Sequence, residues 1–472
     1  MKIAAVLLLV FTGAFASKAQ PPGYAADSVF SIESFLDLIA RNHPLMRQTR
    51  LADELAQAEI RQARGAFDPK LESQFLRKSY DGKEYYNLFN PELKIPTLPG
   101  IDLKAGFERN AGSNVNQEDK TPSGGLRYLG INLPLGRGLL TDARRNSLRQ
   151  ASEARNLTAA EISKNINKIL FSASKDYWEW YAAHFQLQNS LLALNLANTR
   201  YEAVLRRIRI GELPKIDSLE ARIFVQDRQI LLNQTRQDEQ NARTQLSTYL
   251  WSEEEQVLDL LPGAKPAVPD AWKAIPAESQ IRTWADQAKE NHPEIQKFRI
   301  KTRLLELDRK LAAEMLKPSL NLQYNWLSAP NPGLWYDSPI NQNYKMGMDF
   351  SFPLLIRKER AKISLVKTKI LQNRLETEQT ARNIQAEIRM AENQLLALSQ
   401  NIEAQRTMVT NYDLLLQAEI RKFGIGESSL FLLNSREAKL IESRMKLISL
   451  ETKFQKERAA LLYAAGRNPL MP

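Results

Sequence analysis

The 472-residue chain has no cysteine and only three histidines. The first absence excludes a disulfide framework, thiol chemistry and an acylated N-terminal cysteine, so stability must rest on packing and assembly. The second leaves little for metal or acid–base chemistry. His43 and His292 recur in one phrase, Asn-His-Pro, where a helix-end role explains them, and His184 stands alone. A glycine-rich phosphate loop and a Gly-x-Ser-x-Gly elbow are missing too, and the glutamates are scattered over charged helical stretches rather than paired. Neither catalysis nor a cofactor nor a bound metal is expected. After the N-terminal stretch no segment approaches the roughly 18 to 20 continuous apolar residues of a membrane-spanning helix. Any membrane insertion must therefore use strands.

Glycine and proline are also absent from two long windows, Leu139–Ile210 and Leu354–Phe423. Helix interiors exclude both residues, so each window reads as one helix of roughly 100 Å at about 1.5 Å per residue. Ile162, Ile166, Ile169, Leu170 and Ala173 give the first an apolar stripe at helical spacing, which needs a partner. The windows stop at Ile210-Gly211-Glu212-Leu213-Pro214 and at Phe423-Gly424-Ile425-Gly426-Glu427. The shared Ile-Gly-Glu marks two tight turns, each followed by a returning helix, Lys215–Leu261 and Glu427–Ala465.

The two halves are built alike. With one constant offset, Pro44 maps to Pro293, Pro69 to Pro318, Leu71 to Leu320 and Phe75 to Tyr324. Each half reads as Asn-His-Pro, a helix of about 22 residues, a proline, strands, a second proline (Pro134 or Pro353) opening the long helix, a turn and a return. A 22-residue helix and a return of about 40 add to roughly 90 Å, close to the roughly 105 Å of the long helix. Two short helices can then line each long one, giving four helical columns per chain.

The strands alternate strictly. Leu320, Leu322, Tyr324 and Trp326 alternate with Asn321, Gln323 and Asn325; Tyr344, Met346, Met348, Phe350 and Phe352 alternate with Lys345, Gly347, Asp349 and Ser351. In the first half Ile101, Leu103, Ala105 and Phe107 alternate with polar residues, as do Leu129, Ile131 and Leu133. Period two with aromatic ends suits a membrane barrel strand, and it equally suits a half-buried soluble sheet. Two strands per half make four per chain, and an outer-membrane barrel needs at least eight. A barrel therefore requires several copies. An excursion around Ser79–Pro99 has no counterpart in the second half and is either a loop or an extra strand.

The start, Met1-Lys2 followed by Ile3–Phe11 and then Ala14-Phe15-Ala16 and Ser17-Lys18-Ala19, has the form of a secretory signal peptide cleaved after Ala16 or Ala19. The formal charge of +11 is spread over helices that also carry acids, which describes a solvated helix face rather than a nucleic-acid surface. The chain divides into a signal (1–19), a first repeat (20–250), a proline-containing connector (251–279) and a second repeat (280–472). Trp251 and Trp272 of the connector are placed to meet the aromatics Tyr177, Trp178, Trp180 and Tyr181, either as a belt around the middle or as ordinary helix packing.

Signal, strand pair, proline, long helix, glycine turn and returning helix, twice over, resemble the TolC family of outer-membrane efflux and secretion channels. The duplicated Asn-His-Pro, the Leu-Pro-Leu-Gly-Arg-Gly segment at Leu133–Gly138 and the Gly-Glu-Ser-Ser-Leu turn at Gly426–Leu430 carry the likeness. It implies a mainly α fold with a small transmembrane β part: a homotrimer sharing a twelve-stranded β-barrel that continues as a long α-helical barrel through the periplasm. It implies a passive conduit of a tripartite efflux or type I secretion system, opened at its tip by a periplasmic adaptor linked to an inner-membrane transporter. The tip turns Gly211, Glu212, Leu213, Gly424, Gly426, Glu427 and Ser428 would meet that adaptor. Asp413 and Glu419 are candidates for the entrance constriction, with Arg206, Arg207 and Arg209 as candidate partners. Leu322, Tyr324, Trp326, Met346, Met348 and Phe350 would face outer-membrane lipid. The competing reading is a periplasmic or surface coiled-coil scaffold without transport, which long helices alone would serve but which gives no reason for amphipathic strands at matching places in both halves.

Overall fold

A computed structural model describes residues 29–269, 275–329 and 340–467. The expected signal peptide, the leader after it and Trp272 lie outside these residues. The element order begins with β1 (Val29–Phe30), α1 (Ile32–Asn42), α2 (Pro44–Arg64), β2 (Lys70–Tyr80), β3 (Lys83–Pro96), β4 (Asp102–Ala111), β5 (Leu126–Pro134), α3 (Ala143–Arg209) and α4 (Ile216–Ser247). It continues with β6 (Lys265–Pro266), α5 (Glu278–Asn291), α6 (Pro293–Glu314), β7 (Ser319–Ser328), β8 (Tyr344–Ser351), α7 (Arg357–Gly424) and α8 (Leu430–Ala464). The long helices have 67 and 68 residues. Among the described residues no helix is long and apolar enough to cross a membrane.

The repeated Asn-His-Pro acts through its proline. A residue before proline is driven out of the helical region, and His43 and His292 share one extended conformation, φ −63°, ψ 133° and φ −60°, ψ 133°. Each ends one helix and admits the next. His292 also caps α6, its Nδ1 accepting from the Glu294 N–H at 3.2 Å. That bond needs an unprotonated Nδ1, and burial likewise holds the imidazole below its usual pKa. The unfolded chain therefore binds the proton more readily. The stabilisation is present above the ordinary histidine range and is lost as pH falls through it towards the lowered folded value. His292→Asn, which retains a capping oxygen, is expected to shrink the drop in melting temperature between pH 7.5 and pH 5.5; an unchanged drop would remove His292 from the acid response.

The chain packs as two compact units. One holds residues 29–44, 172–269 and 398–456. Its centre is aromatic: Tyr177, Trp178, Trp180 and Tyr181 of α3 pack on one another, Tyr177 stacks on Phe35 of α1, and Tyr249 reaches Phe35 edge-on. The Tyr177 hydroxyl donates to the Phe30 carbonyl at 2.7 Å and accepts from the Ala267 N–H at 3.3 Å, which fixes the short parallel pair β1–β6. The connector thus meets the aromatics beside β6, where the Ala267 N–H reaches Tyr177. The first returning helix stops at Ser247, well short of the expected Leu261. The Ser252 hydroxyl accepts from the N–H groups of Glu254 and Gln256, and Glu255 sits at φ +66°, a local alternative to helix of the kind serine offers.

The other unit holds residues 45–171, 275–397 and 457–467, apart from the undescribed ones. In it α3 is tied to α6 by Arg303–Glu153 and Lys297–Glu161, and α7 to α6 by Asn373, whose amide donates to the Phe298 carbonyl and the Thr302 hydroxyl. Its sheet has six antiparallel strands in the order β2-β3-β4-β5-β7-β8, which corrects the expected four. The excursion is strand, and it was obscured by Pro91 in the middle of β3. Proline has no ladder N–H, the β3–β4 pairing skips Asn90 and Pro91, and the Asn90 side chain takes the Arg109 N–H instead.

The prolines after the strands do not open the long helices either. Pro134 is the last residue of β5, and the backbone stays beside β7: Leu135 N–H donates to Leu320 O and Arg137 N–H to Pro318 O. Gly136 is there because a Cβ would stand 2.1 Å from the Pro318 oxygen. Gly138 turns away at φ +98°, and Asp142 caps α3 by accepting from the Arg145 N–H at 2.8 Å.

Candidate functional site

The sheet is two-faced. Opposite residues of an antiparallel pair project to the same side, so the register sorts every side chain. Leu322 pairs with Met348, Tyr324 with Met346, and Trp326 with Tyr344, while Leu320 pairs with Phe350. The six residues expected to face lipid therefore lie on one face. The same face continues through Leu133, Ile131 and Leu129 of β5, Leu103 and Ala105 of β4, Ile95 and Leu93 of β3, and Leu71 and Phe75 of β2. Among the described residues nothing covers it at β8, where Met346, Met348 and Phe350 are 63%, 65% and 67% exposed.

The opposite face is polar and internally paired. Glu92 receives the Lys104 ammonium and the Tyr128 hydroxyl, the latter at 2.7 Å; Lys345 stands 3.8 Å from Glu108, and Gln323 donates to Asp349. Tyr128 lies flat over Gly106, where a Cβ would meet its ring at 2.4 Å. The sheet is thus apolar on one side and charged on the other. Where sheet meets helix, Arg144 of α3 binds the buried Asp102 carboxylate at 3.0 Å.

The second feature is the pair of helical tips. Both long helices are closed by the same two bonds: Gly211 N–H to Ile208 O with Glu212 N–H to Arg207 O, and Gly426 N–H to Phe423 O with Glu427 N–H to Lys422 O. This Schellman pattern satisfies terminal carbonyls and places one residue in the left-handed region. That residue is glycine both times, Gly211 at φ +80° and Gly426 at φ +83°. Gly424, by contrast, is the last helical residue of α7, with open space where a Cβ would go. Gly426→Ala should thus destabilise the tip by about 1 kcal/mol or more, and Gly424→Ala should stabilise it by up to about 1 kcal/mol. Hydrogen exchange of the Glu427 amide reads both; equal protection in the two variants would refute the assignment.

Of the expected tip residues, Gly211, Glu212, Gly424, Gly426 and Glu427 are exposed. Leu213 is not: it packs against the cluster of Val204, Ala221 and Leu430. Ser428 turns inward as well, its hydroxyl donating to Glu419. Both candidate constriction acids face α8, where Arg444 holds Asp413 at 3.0 Å and Arg436 stands 3.7 Å from Glu419. They flank the stripe Val409, Tyr412 and Leu416 that packs on Leu433 and Leu440. Arg207 has found other partners, Glu212 and the Phe423 carbonyl, with its guanidinium over the Phe423 ring. It joins the two tips. The sequence reading missed Ile210, Ile216, Ile425 and Phe431, which are 67% to 71% exposed at these turns. Apolar residues at a helical turn, off the apolar stripe, were the available signal.

Among the described residues no group of His, Cys, Asp or Glu could hold a metal ion. No curated protein matches the chain in sequence. Solved structures do match in fold. The CmeC outer membrane channel of Campylobacter jejuni aligns with 13% identity and a TM-score of 0.65, over 92% of this chain and 85% of that one. CusC, solved in conformations that accompany folding and transmembrane channel formation, aligns with 16% identity and a TM-score of 0.66 over 96% of both chains. The open state of the MtrE outer membrane channel of Neisseria gonorrhoeae aligns with 14% identity and a TM-score of 0.65, over 92% and 89%. The outer membrane efflux protein profile matches residues 94–250 and 284–467, which takes in four of the six sheet strands in full, both long helices and both tips. Two-faced sheet, paired long helices and glycine-closed tips are accounted for together, because the chain belongs to the outer membrane efflux protein family.

Proposed function

We propose that this protein is the outer-membrane channel of a tripartite efflux or type I secretion system: a homotrimer whose sheets share one barrel and whose long helices extend into the periplasm. Substrate passes by diffusion, and the tips receive a periplasmic adaptor coupled to an inner-membrane transporter. The observation that carries this reading is the six-stranded sheet with an uncovered apolar face and a charged opposite face. A coiled-coil scaffold has no use for such a sheet. Leu219, Ile223 and Ile230 support assembly, since they form an exposed apolar seam along α4 at near-heptad spacing.

In this reading the exposed tip residues Gly211, Glu212, Gly424, Gly426 and Glu427, with Ile210, Ile216, Ile425 and Phe431, form the adaptor surface. Asp413 and Glu419 influence the entrance by holding α7 against α8 through Arg444 and Arg436. Between Glu403 and Glu427, α7 has no other acid. Opening the entrance then means sliding or parting a hairpin that these pairs fasten. The test is the mass of the protein extracted from outer membranes in mild detergent, followed by conductance in planar bilayers. A trimer that conducts supports the proposal, and a monomer soluble without detergent overturns it in favour of the scaffold.

A further inference from the structure

We infer that the helical tips ring the entrance with uncompensated positive charge, carried by Arg206, Arg209, Lys215, Arg421 and Lys422 of each copy, and that the channel passes anions in preference to cations. The inference rests on the trimeric channel reading and deepens it by naming a class of cargo, anionic solutes.

The imbalance is local to the tips. Residues 206–217 and 421–430 run from the last turn of each long helix into the start of its return. They hold six basic residues against three acidic ones, an excess of three per copy and of nine in a trimer. The two tips of one copy form a single patch, because Arg207 of the first donates to the Phe423 carbonyl of the second at 3.3 Å and lies over its ring.

Pairing does not cancel this excess. Glu212 holds Arg207 at 2.9 Å, which removes one charge of each sign. Further from the turns the carboxylates are spoken for: Asp413 by Arg444, Glu419 by Arg436, and the buried Glu437 by Arg200. The cations nearest the turns are in the opposite situation. Arg206, Arg209, Lys215, Arg421 and Lys422 are all exposed, and among the described residues none of them has a carboxylate partner. Arg421 donates from Nε to the Gln417 carbonyl of its own helix at 3.3 Å, which leaves its charge intact.

Helix dipoles do not explain the pattern. A cation at a helix C-terminus answers about half a unit of negative charge. At each tip, however, the negative end of a long helix stands beside the positive end of its return, so the two ends nearly cancel and the side chains set the sign. Asp217 and Glu427 lie at the starts of the returns, where that positive end already offsets them in part.

A ring of Arg and Lys at a pore constriction selects anions, as a ring of Asp and Glu selects cations. Low-dielectric walls focus the field, and a potential of about one kT at the mouth enriches anions and depletes cations about threefold each, roughly sevenfold in ratio. The Debye length is about 10 Å at 0.1 M salt and about 3 Å at 1 M. A preference set by exposed side chains must therefore fade in concentrated salt.

The test uses the full-length trimer in planar bilayers, under a gradient of KCl and then of potassium acetate. The reversal potential is expected to show a several-fold preference for the anion near 0.1 M that falls towards unity near 1 M. A variant carrying Arg206→Gln, Arg209→Gln, Arg421→Gln and Lys422→Gln leaves the Arg207 contacts in place, and its preference should drop to near unity while the trimer is retained. Preference for potassium in the parent, or none, overturns the inference, while the current itself upholds the channel reading. An anion preference that the variant keeps overturns it as well, because selectivity then resides away from the tips. A preparation that carries no current overturns the channel reading and this inference with it.

Discussion

Trp180→Ala is expected to lower stability by about 3 to 5 kcal/mol, the largest loss predicted for any single site in the helical part. Trp180 is fully buried, edge-on to Tyr177 at 5.7 Å and beside His184. Removing the indole leaves a cavity that the neighbouring rings of Tyr177 and His184 cannot close without leaving their own contacts. Trp180→Phe makes the comparison informative. The indole Nε1 is buried without a hydrogen-bond partner in the described residues, so phenylalanine keeps most of the ring while removing an unsatisfied donor. A loss of only about 1 kcal/mol is expected there. The effect should spread through Tyr177, whose hydroxyl holds both Phe30 and Ala267. Limited proteolysis should therefore cut near β1 and β6 in Trp180→Ala before it cuts the long helices. An unchanged melting temperature and proteolytic pattern would mean that the cluster contributes packing area without organising the connector.

That cluster was visible in the sequence as composition but not as a contact map, and the same division runs through the molecule. The long helices could be read because what defines them is an absence of glycine and proline over a window no loop would sustain. Their turns could be read because Ile-Gly-Glu occurs twice, and a Schellman close needs glycine at one position. The faces of β7 and β8 followed from period two. What escaped was set by local detail: Pro91 hid β3, α4 stopped at Ser247 ahead of the turn held by the Ser252 hydroxyl, and Gly136 let the chain continue beside β7 after Pro134. The partners of Asp413 and Glu419 were within reach. Asp413 with Arg444, Glu419 with Arg436 and Arg406 with Glu451 stand at nearly equal distances on either side of Ser428. An antiparallel hairpin brings such positions together, and placing the acids by their distance from Gly426 alone overlooked it.

The other large effect is expected at the sheet, where on the proposed channel reading one residue of displacement decides between lipid and water. Met348→Arg places a guanidinium on the apolar face, opposite Leu322 and two residues from Met346 and Phe350. Near the middle of a membrane strand this costs about 2 to 4 kcal/mol per site. The proposed homotrimer would carry the substitution three times, so the yield of assembled trimer should fall steeply. Gly347→Arg carries the same charge on the neighbouring residue, which opposes Gln323 and lies between Lys345 and Asp349 on the polar face, with open space where its side chain begins. Trimer yield should stay near that of the parent, because the new charge meets water and the Asp349 carboxylate. The pair of variants measures the face assignment itself, since strand propensity, edge position and added charge are nearly common to both. Loss of trimer in Gly347→Arg with normal assembly of Met348→Arg would place the apolar face inside, and with it would fall the proposed lipid contact of Met346, Met348 and Phe350.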